Sequence, residues 1–144
     1  MSPKVSIVAT DSHRDLGPQP GVDVTFLPFA EDDGVPVYDE STPDLVRELQ
    51  AAGVTVETWH AAGAYELVSS RGLVTDTLLQ IGVGISSSAG WYGLQSLLRR
   101  RGGQLRVVAI FDDGVQRRRA EVTGEAADVV DVLERLDPFS SGPS

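Results

Sequence analysis

Thr77–Arg101 reads TLLQIGVGISSSAGWYGLQSLLRRR, and the conformation assigned to it decides the fold. On a helical wheel at about 100° per residue, Gly82, Ser86, Ala89, Gly90, Gly93 and Ser96 fall within an arc of roughly 120°. Leu78, Leu79 and Leu97 share that side, while Gln80, Ser87, Ser88 and Gln95 collect on the far face. This sorting predicts one long helix with a ridge of small residues. Each glycine inside a helix costs about 1 kcal/mol relative to alanine, so Gly82, Gly84, Gly90 and Gly93 together cost about 4 kcal/mol. Close packing has to offset that cost, and the expectation is a helix pressed onto a sheet.

Other readings of the same residues make different demands. LLQIGVGI can be a strand, with Gly82–Gly93 as a phosphate-cradling loop before a helix. The glycine spacing fits neither a dinucleotide fingerprint nor a P-loop, which ends in Gly-Lys-Ser/Thr; Lys4 is the chain's one lysine. Ser86-Ser87-Ser88-Ala89-Gly90 has the outline of a nucleophile elbow centred on Ser88, with serine in place of the first glycine. A membrane span is disfavoured by Asp76, Gln80, three serines and Gln95, which leave no apolar run near the ~20 residues required.

Working outward, the 144 residues suffice for one domain with its own core. Hydrophobic content of 41% with 23% charged residues is a globular composition. The absence of cysteine excludes disulfides and thiolate metal sites. MSPKVSIVATDSH has no charged-then-apolar leader pattern, so a soluble cytoplasmic protein is expected, with no membrane association. Eleven arginines against Lys4, with abundant Gly, Ala and Val, suggest a GC-rich bacterial source.

Net charge is −9 but unevenly spread. Residues 1–60 carry eleven acids against Lys4, Arg14 and Arg47, a net of −8. Residues 97–119 carry seven arginines against Asp112 and Asp113, a net of +5. Overall acidity argues against nucleic-acid binding, which depends on neutralising phosphates.

The remaining pattern is α+β. Strands are expected at Lys4–Thr10, Val22–Phe29, Val54–His60, Leu105–Phe111 and Val115–Val122. Leu105–Phe111 is apolar enough on both faces for the sheet centre. Between the second and third strands, EDDGVPVYDESTPD reads as an acidic solvated loop whose spacing is not that of an EF-hand. Thr42 and Pro43 open a helix that Gly53 ends, making the strands on either side parallel. A short helix is conceivable within Ala61–Thr75, broken at Gly72. Asp112-Asp113-Gly114 signals a hairpin, and Val129, Val132, Leu133 and Leu136 line a final helix over Glu125–Leu136. The expected architecture is one α+β domain over residues 1–137, a mixed four- to five-stranded sheet with a long Gly/Ser-rich central helix and two further helices. A flexible tail follows at 138–144.

Chemistry is sparse. His13 and His60 stand beside strand ends without partners at metal spacing. Either could be joined on paper to Ser86 or Ser88, and Asp11-Ser12-His13 is the best of these groupings, yet a satisfied turn explains it as well. No catalytic residue, cofactor or metal is assigned. The arginines are the stronger signal. Arg99, Arg100, Arg101, Arg106, Arg117, Arg118 and Arg119 form one basic face if the central helix ends beside the hairpin. Their simpler roles are to stabilise a helix C-terminus and to guard an edge strand. Trp91 falls on the polar side of the wheel, and an exposed Trp near arginines has the composition of an interface hot spot.

From about Leu73 to Leu136 the layout resembles the small bacterial domains called effector-associated constant components. The matching pieces are IGVGISSSAGWYGLQSLLRRRGG, QLRVVAIFDDG, VQRRRAEVTG and EAADVVDVLERL. That family has a Gly/Ala-rich helix ending in an arginine run, a strand, an Asp-Gly turn, a second strand and a terminal helix. The first sixty residues lie outside the resemblance. It implies a non-catalytic partner or adaptor in bacterial conflict and signalling systems. The expectation is an interaction module whose Arg99–Arg119 face meets an acidic protein partner, an effector or another copy's Glu31–Asp44 loop. The alternative is a nucleotide sensor or small enzyme using Gly82–Gly93.

Overall fold

The computed structural model describes residues 4–9, 17–60, 63–68, 79–112 and 117–139. Its first sheet contains β1 (Lys4–Ala9), β2 (Val24–Leu27), β5 (Val56–Thr58), β7 (Leu79–Ile85), β8 (Gln104–Asp112) and β9 (Arg117–Glu125), in the order β1-β9-β8-β7-β2-β5. A second, three-stranded sheet is made of β3 (Ala30–Asp32), β4 (Val35–Asp39) and β6 (Glu66–Val68). The helices are α1 (Thr42–Ala51), α2 (Ser88–Arg101) and α3 (Ala126–Leu136). The α+β class holds, with more strands than the sequence suggests.

The main correction concerns the opening stretch. It is not one helix: Leu79–Ile85 is a strand, Ser86-Ser87 a bend, and only Ser88–Arg101 is helical. The reason is visible in LQIGVGI. Leu79, Ile81, Val83 and Ile85 alternate with Gln80, Gly82 and Gly84, and all four apolar residues are buried. Period-two alternation puts them on one face of a strand, and five of the strand's seven residues are large enough to stiffen it. β7 lies at the centre of the sheet, parallel to β8 and antiparallel to β2. β8 is the other central strand, as its apolar character implies.

The glycines still permit close approach, but on two separate elements, β7 and α2. A β-carbon on Gly84 would collide with the Gly17–Pro18 peptide, and one on Gly90 with the Asp23 carbonyl. Gly93 faces Val54, where an added β-carbon would lie 2.8 Å from Cγ2. Tight packing of small residues is thus real, although the single helical ridge is not.

Register gives each face its residues. Leu79, Ile81 and Val83 pair with Leu105, Val107 and Ala109, and these with Gly124, Val122 and Ala120. They form one core with Val24, Phe26, Leu45, Leu49, Trp91, Leu94, Leu98, Val129 and Leu133, so all three helices cover the same side. The opposite side carries Gln80, Gly82, Arg106, Val108, Ile110, Arg119 and Glu121. We refer to it as the open face.

Elsewhere the sequence reading is refined. β2 and β5 are parallel, as the βαβ pattern requires. Helix α1 starts at Thr42 with Pro43 in its first turn, while Ser41 is the N-cap residue. The supposed acidic loop is instead a hairpin: β3 and β4 pair antiparallel across Asp33-Gly34, whose φ values of 52° and 79° give the left-handed two-residue turn that favours Asp-Gly. Within Ala61–Thr75, Glu66–Val68 is a strand beside β4; Gly72 lies outside the described residues. The Asp113-Gly114 turn also lies outside them, though β8 and β9 pair antiparallel on either side. Phe139, assigned to the tail, packs on Trp91 with ring centroids 5.9 Å apart. No helix among the described residues is long and apolar enough to cross a membrane.

Candidate functional site

The open face carries a groove of about 270 Å³ over the middle of the sheet. Leu27, Pro28, Phe29, Val108 and Ile110 supply apolar walls, and Gln80, Arg106 and Arg119 supply its polar groups. The sequence builds it by alternation. Odd residues of β8 and even residues of β9 turn into the core, so Arg106, Arg119 and Glu121 must turn outward together. Gly82 forms the floor at the point where β2 comes close, an added β-carbon there lying 3.3 Å from the Leu27 carbonyl oxygen.

The charges in the groove are organised around Glu121. The Arg106 guanidinium donates to Glu121 Oε1 through Nε at 2.9 Å and again through a second nitrogen, and to Gln80 Oε1 at 2.9 Å. Arg119 reaches Glu121 Oε2 at 3.5 Å. The hydrogen bonds from Arg106 hold the Glu121 carboxyl below the usual glutamate range, with its charge and that of Arg119 acting the same way. Two guanidiniums therefore share one carboxylate. The surplus positive charge rests on Arg119, whose side chain is 39% exposed and makes the longer contact. Arg117, at the end of the same face, is paired with Asp112 at 3.1 Å.

The seven arginines do not make one basic face. Helix α2 ends at the start of β8, so Arg99–Arg101 and the hairpin stand at opposite ends of a nine-residue strand, on the order of 27 Å apart. Arg99, Arg100 and Arg101 are exposed at the α2 C-terminus, where cations favour the helix dipole, and Arg99 pairs with Glu134 at 3.0 Å. Arg118 takes the helix-covered side by the pleat of β9, with Ala120 and Val122. Only Arg106, Arg117 and Arg119 share the open face.

Trp91 is not a surface hot spot. It is 1% exposed, packs edge-on against Phe111 with centroids 5.3 Å apart, and donates Nε1–H to the Leu133 carbonyl at 3.0 Å. The helical phase explains the error. Once the helix begins at Ser88, Trp91, Leu94 and Leu98 occupy i, i+3 and i+7 on the inward face, and Tyr92 takes the exposed one.

The bend between β7 and α2 has the strand-to-helix form that both a phosphate loop and an elbow need, but its polar groups are already engaged. Ser87 caps the helix, accepting from the Gly90 N–H at 3.1 Å, and donates to Asp23 Oδ1 at 2.7 Å. Asp23 Oδ2 accepts from the Thr55 N–H at 2.9 Å, and Ser86 Oγ donates to the Val22 carbonyl at 2.5 Å. A carboxylate of the chain itself thus stands beside the helix N-terminus, where an anionic ligand would gain from the dipole. Ser88 is exposed as the first residue of α2.

His60 is remote from these serines in its bonding. Its Nδ1 meets the Tyr38 hydroxyl at 2.9 Å, and its backbone N–H donates to the same oxygen at 3.3 Å. Burial raises the Tyr38 hydroxyl above the ordinary tyrosine range, so it stays protonated at neutral pH. Asp11, Ser12 and His13 lie outside the described residues. In the acidic segment, Glu31, Asp32 and Asp33 are exposed on the hairpin, whereas Asp39 is buried and accepts from the Ser41 N–H at 2.8 Å.

The groove itself escaped sequence reasoning, but its signal was present. Alternation puts Gln80 of β7, Arg106 of β8 and Arg119 and Glu121 of β9 on one side of the sheet, and register sets Gln80 opposite Arg106 with Glu121 opposite Val108, one diagonal step from Arg106. Neither a scan against protein-family models nor searches of curated proteins and of solved structures found a match to this chain.

Proposed function

We propose that this protein is a non-enzymatic interaction module of a bacterial signalling or conflict system, and that it captures an acidic protein partner on the open face of its six-stranded sheet. The observation that carries the reading is the uneven charge sharing at the groove: among the described residues, two guanidiniums, Arg106 and Arg119, share the one carboxylate of Glu121. The groove's polar side chains also favour holding over reacting. Arg106 and Arg119 offer only donors, Gln80 is a neutral amide, and Glu121 beside them is held ionised by hydrogen bonds from Arg106. Such groups grip a carboxylate and do not exchange protons with it. The adaptor role in conflict systems rests on the resemblance of residues 73–136.

Charge reversal tests this. Arg119→Glu is expected to abolish retention of the native partner in a pull-down from lysate, with the melting temperature little changed. Unchanged retention would reject the proposal. The phosphate-loop reading keeps the strand-to-helix bend it requires but has to displace or tolerate Asp23. A nucleotide that raises the melting temperature of the wild-type chain would put that reading first, because a ligand of the native state stabilises it.

A further inference from the structure

We infer that the groove recognises a short partner segment in which one carboxylate is flanked by apolar or aromatic side chains, and discriminates against uniformly acidic runs. This rests on the open-face reading above and specifies its partner. Three observations lead to it.

The charge count comes first. Among the described residues, Arg106 is committed to Glu121 and Gln80 and Arg117 to Asp112, which leaves the Arg119 guanidinium, held to Glu121 by the longer 3.5 Å contact, to meet an incoming carboxylate. A second carboxylate beside the first would face Glu121, which stays ionised, and like charges that close repel. The walls come second. Leu27, Pro28, Phe29, Val108 and Ile110 line the groove beside its polar groups, and an apolar side chain from a partner gains by leaving water against them. Size comes third. At about 270 Å³ the groove lies near the lower end of the range for ligand pockets, which suits one or two side chains rather than a long charged strand or a large cofactor. Arg119 stands within the same lining as the apolar wall residues, so both features are read at one place.

Fluorescence anisotropy on the full-length chain, with labelled short peptides as probes, tests this directly. One peptide carries a single aspartate between phenylalanine and leucine, a second carries it between serines, and a third is oligoglutamate. The first should bind about tenfold or more tightly than either of the others, a difference of about 1.4 kcal/mol. Arg119→Gln should remove most of that binding, and Val108→Thr, which keeps the side-chain shape while adding a hydroxyl, should weaken the first peptide several-fold and leave oligoglutamate unaffected. Circular dichroism melts of both variants verify that the fold is kept.

If oligoglutamate binds as well as the apolar-flanked peptide, and does so through Arg119, the inference is overturned while the acidic-partner reading survives. Should phenylacetate bind as tightly as the first peptide, the occupant is a free small carboxylate and the assignment to a protein segment fails. If no peptide binds, or binding ignores Arg119→Gln, the inference and the reading beneath it fall together.

Discussion

On the helix side of the six-stranded sheet, Ile81, Val83, Val107, Ala109 and Val122 are buried under α1, α2 and α3. One residue along on the same strands, Gln80, Arg106, Arg119 and Glu121 turn the other way and form a partly exposed net of ion pairs around a groove. The covered side spends its residues on apolar packing, where each buried group contributes steadily to stability. The other side holds partly exposed ion pairs, which contribute little to folding. Stability and the proposed recognition are therefore assigned to opposite parities along each strand, and a substitution's effect should depend on which parity it hits.

The hardest blow to that contrast is Trp91→Ala. Removing the indole empties the space against Phe111 and Phe139 and leaves the Leu133 carbonyl with the Asp137 N–H alone, so a loss of about 3–5 kcal/mol is expected by urea unfolding. A loss below about 1 kcal/mol, in the range of ordinary surface sites, would show that the covered side is not the source of stability.

Gly84→Ala probes a place where the open face is itself covered. The new methyl would strike the Gly17–Pro18 peptide, which crosses there, and overpacking of this kind costs about 1–3 kcal/mol. A neutral result would mean that this crossing segment yields freely, and the open face would then be wider than the groove alone.

The smallest effect is electrostatic. Glu121 has its folded-state pKa lowered, first by hydrogen bonds from Arg106, so its ionised form is favoured by folding. That contribution is complete above the unfolded-state value and disappears as pH falls through the lower folded-state value. Wild type should exceed Glu121→Gln in stability at neutral pH by up to about 1 kcal/mol. The gap should close in acid, below the normal glutamate range. A gap independent of pH would assign the effect to shape rather than charge.

Much of the framework was legible in the sequence, and the failures share a cause. Leu105–Phe111 and the helix of Val129, Val132, Leu133 and Leu136 were readable because their periodicity has one solution. Leu79–Ile85 was not, because a wheel drawn from Thr77 through Arg101 assumes a single phase across a bend. The alternation of LQIGVGI favours a strand, and Ser87 is a good helix cap; taking both together resets the phase and turns Trp91 inward. Asp33-Gly34 carries the same Asp-Gly signal as Asp113-Gly114, but three exposed acids around it made the segment look like a solvated loop. For the groove, no local pattern suffices. Gln80, Arg106, Arg119 and Glu121 meet only through strand register, which depends on which strands become neighbours. The arginine cluster misled for the same reason: adjacency in the chain put Arg99–Arg101 beside Arg106, while β8 carries Arg117 and Arg119 to the far end of the sheet.

The pairing of β1 with β9 has a consequence for how the chain is made. Lys4 lies beside Thr123 and Ile7 beside Ala120, so β1 can find its neighbour only once Arg117–Glu125, far along the chain, has left the ribosome. Closing so long a loop is slow compared with local pairing. Until then Lys4–Ala9 lacks its ladder partner, and because Val5 and Ile7 stay exposed even once paired, what the late closure supplies is backbone hydrogen bonding rather than burial of those two side chains.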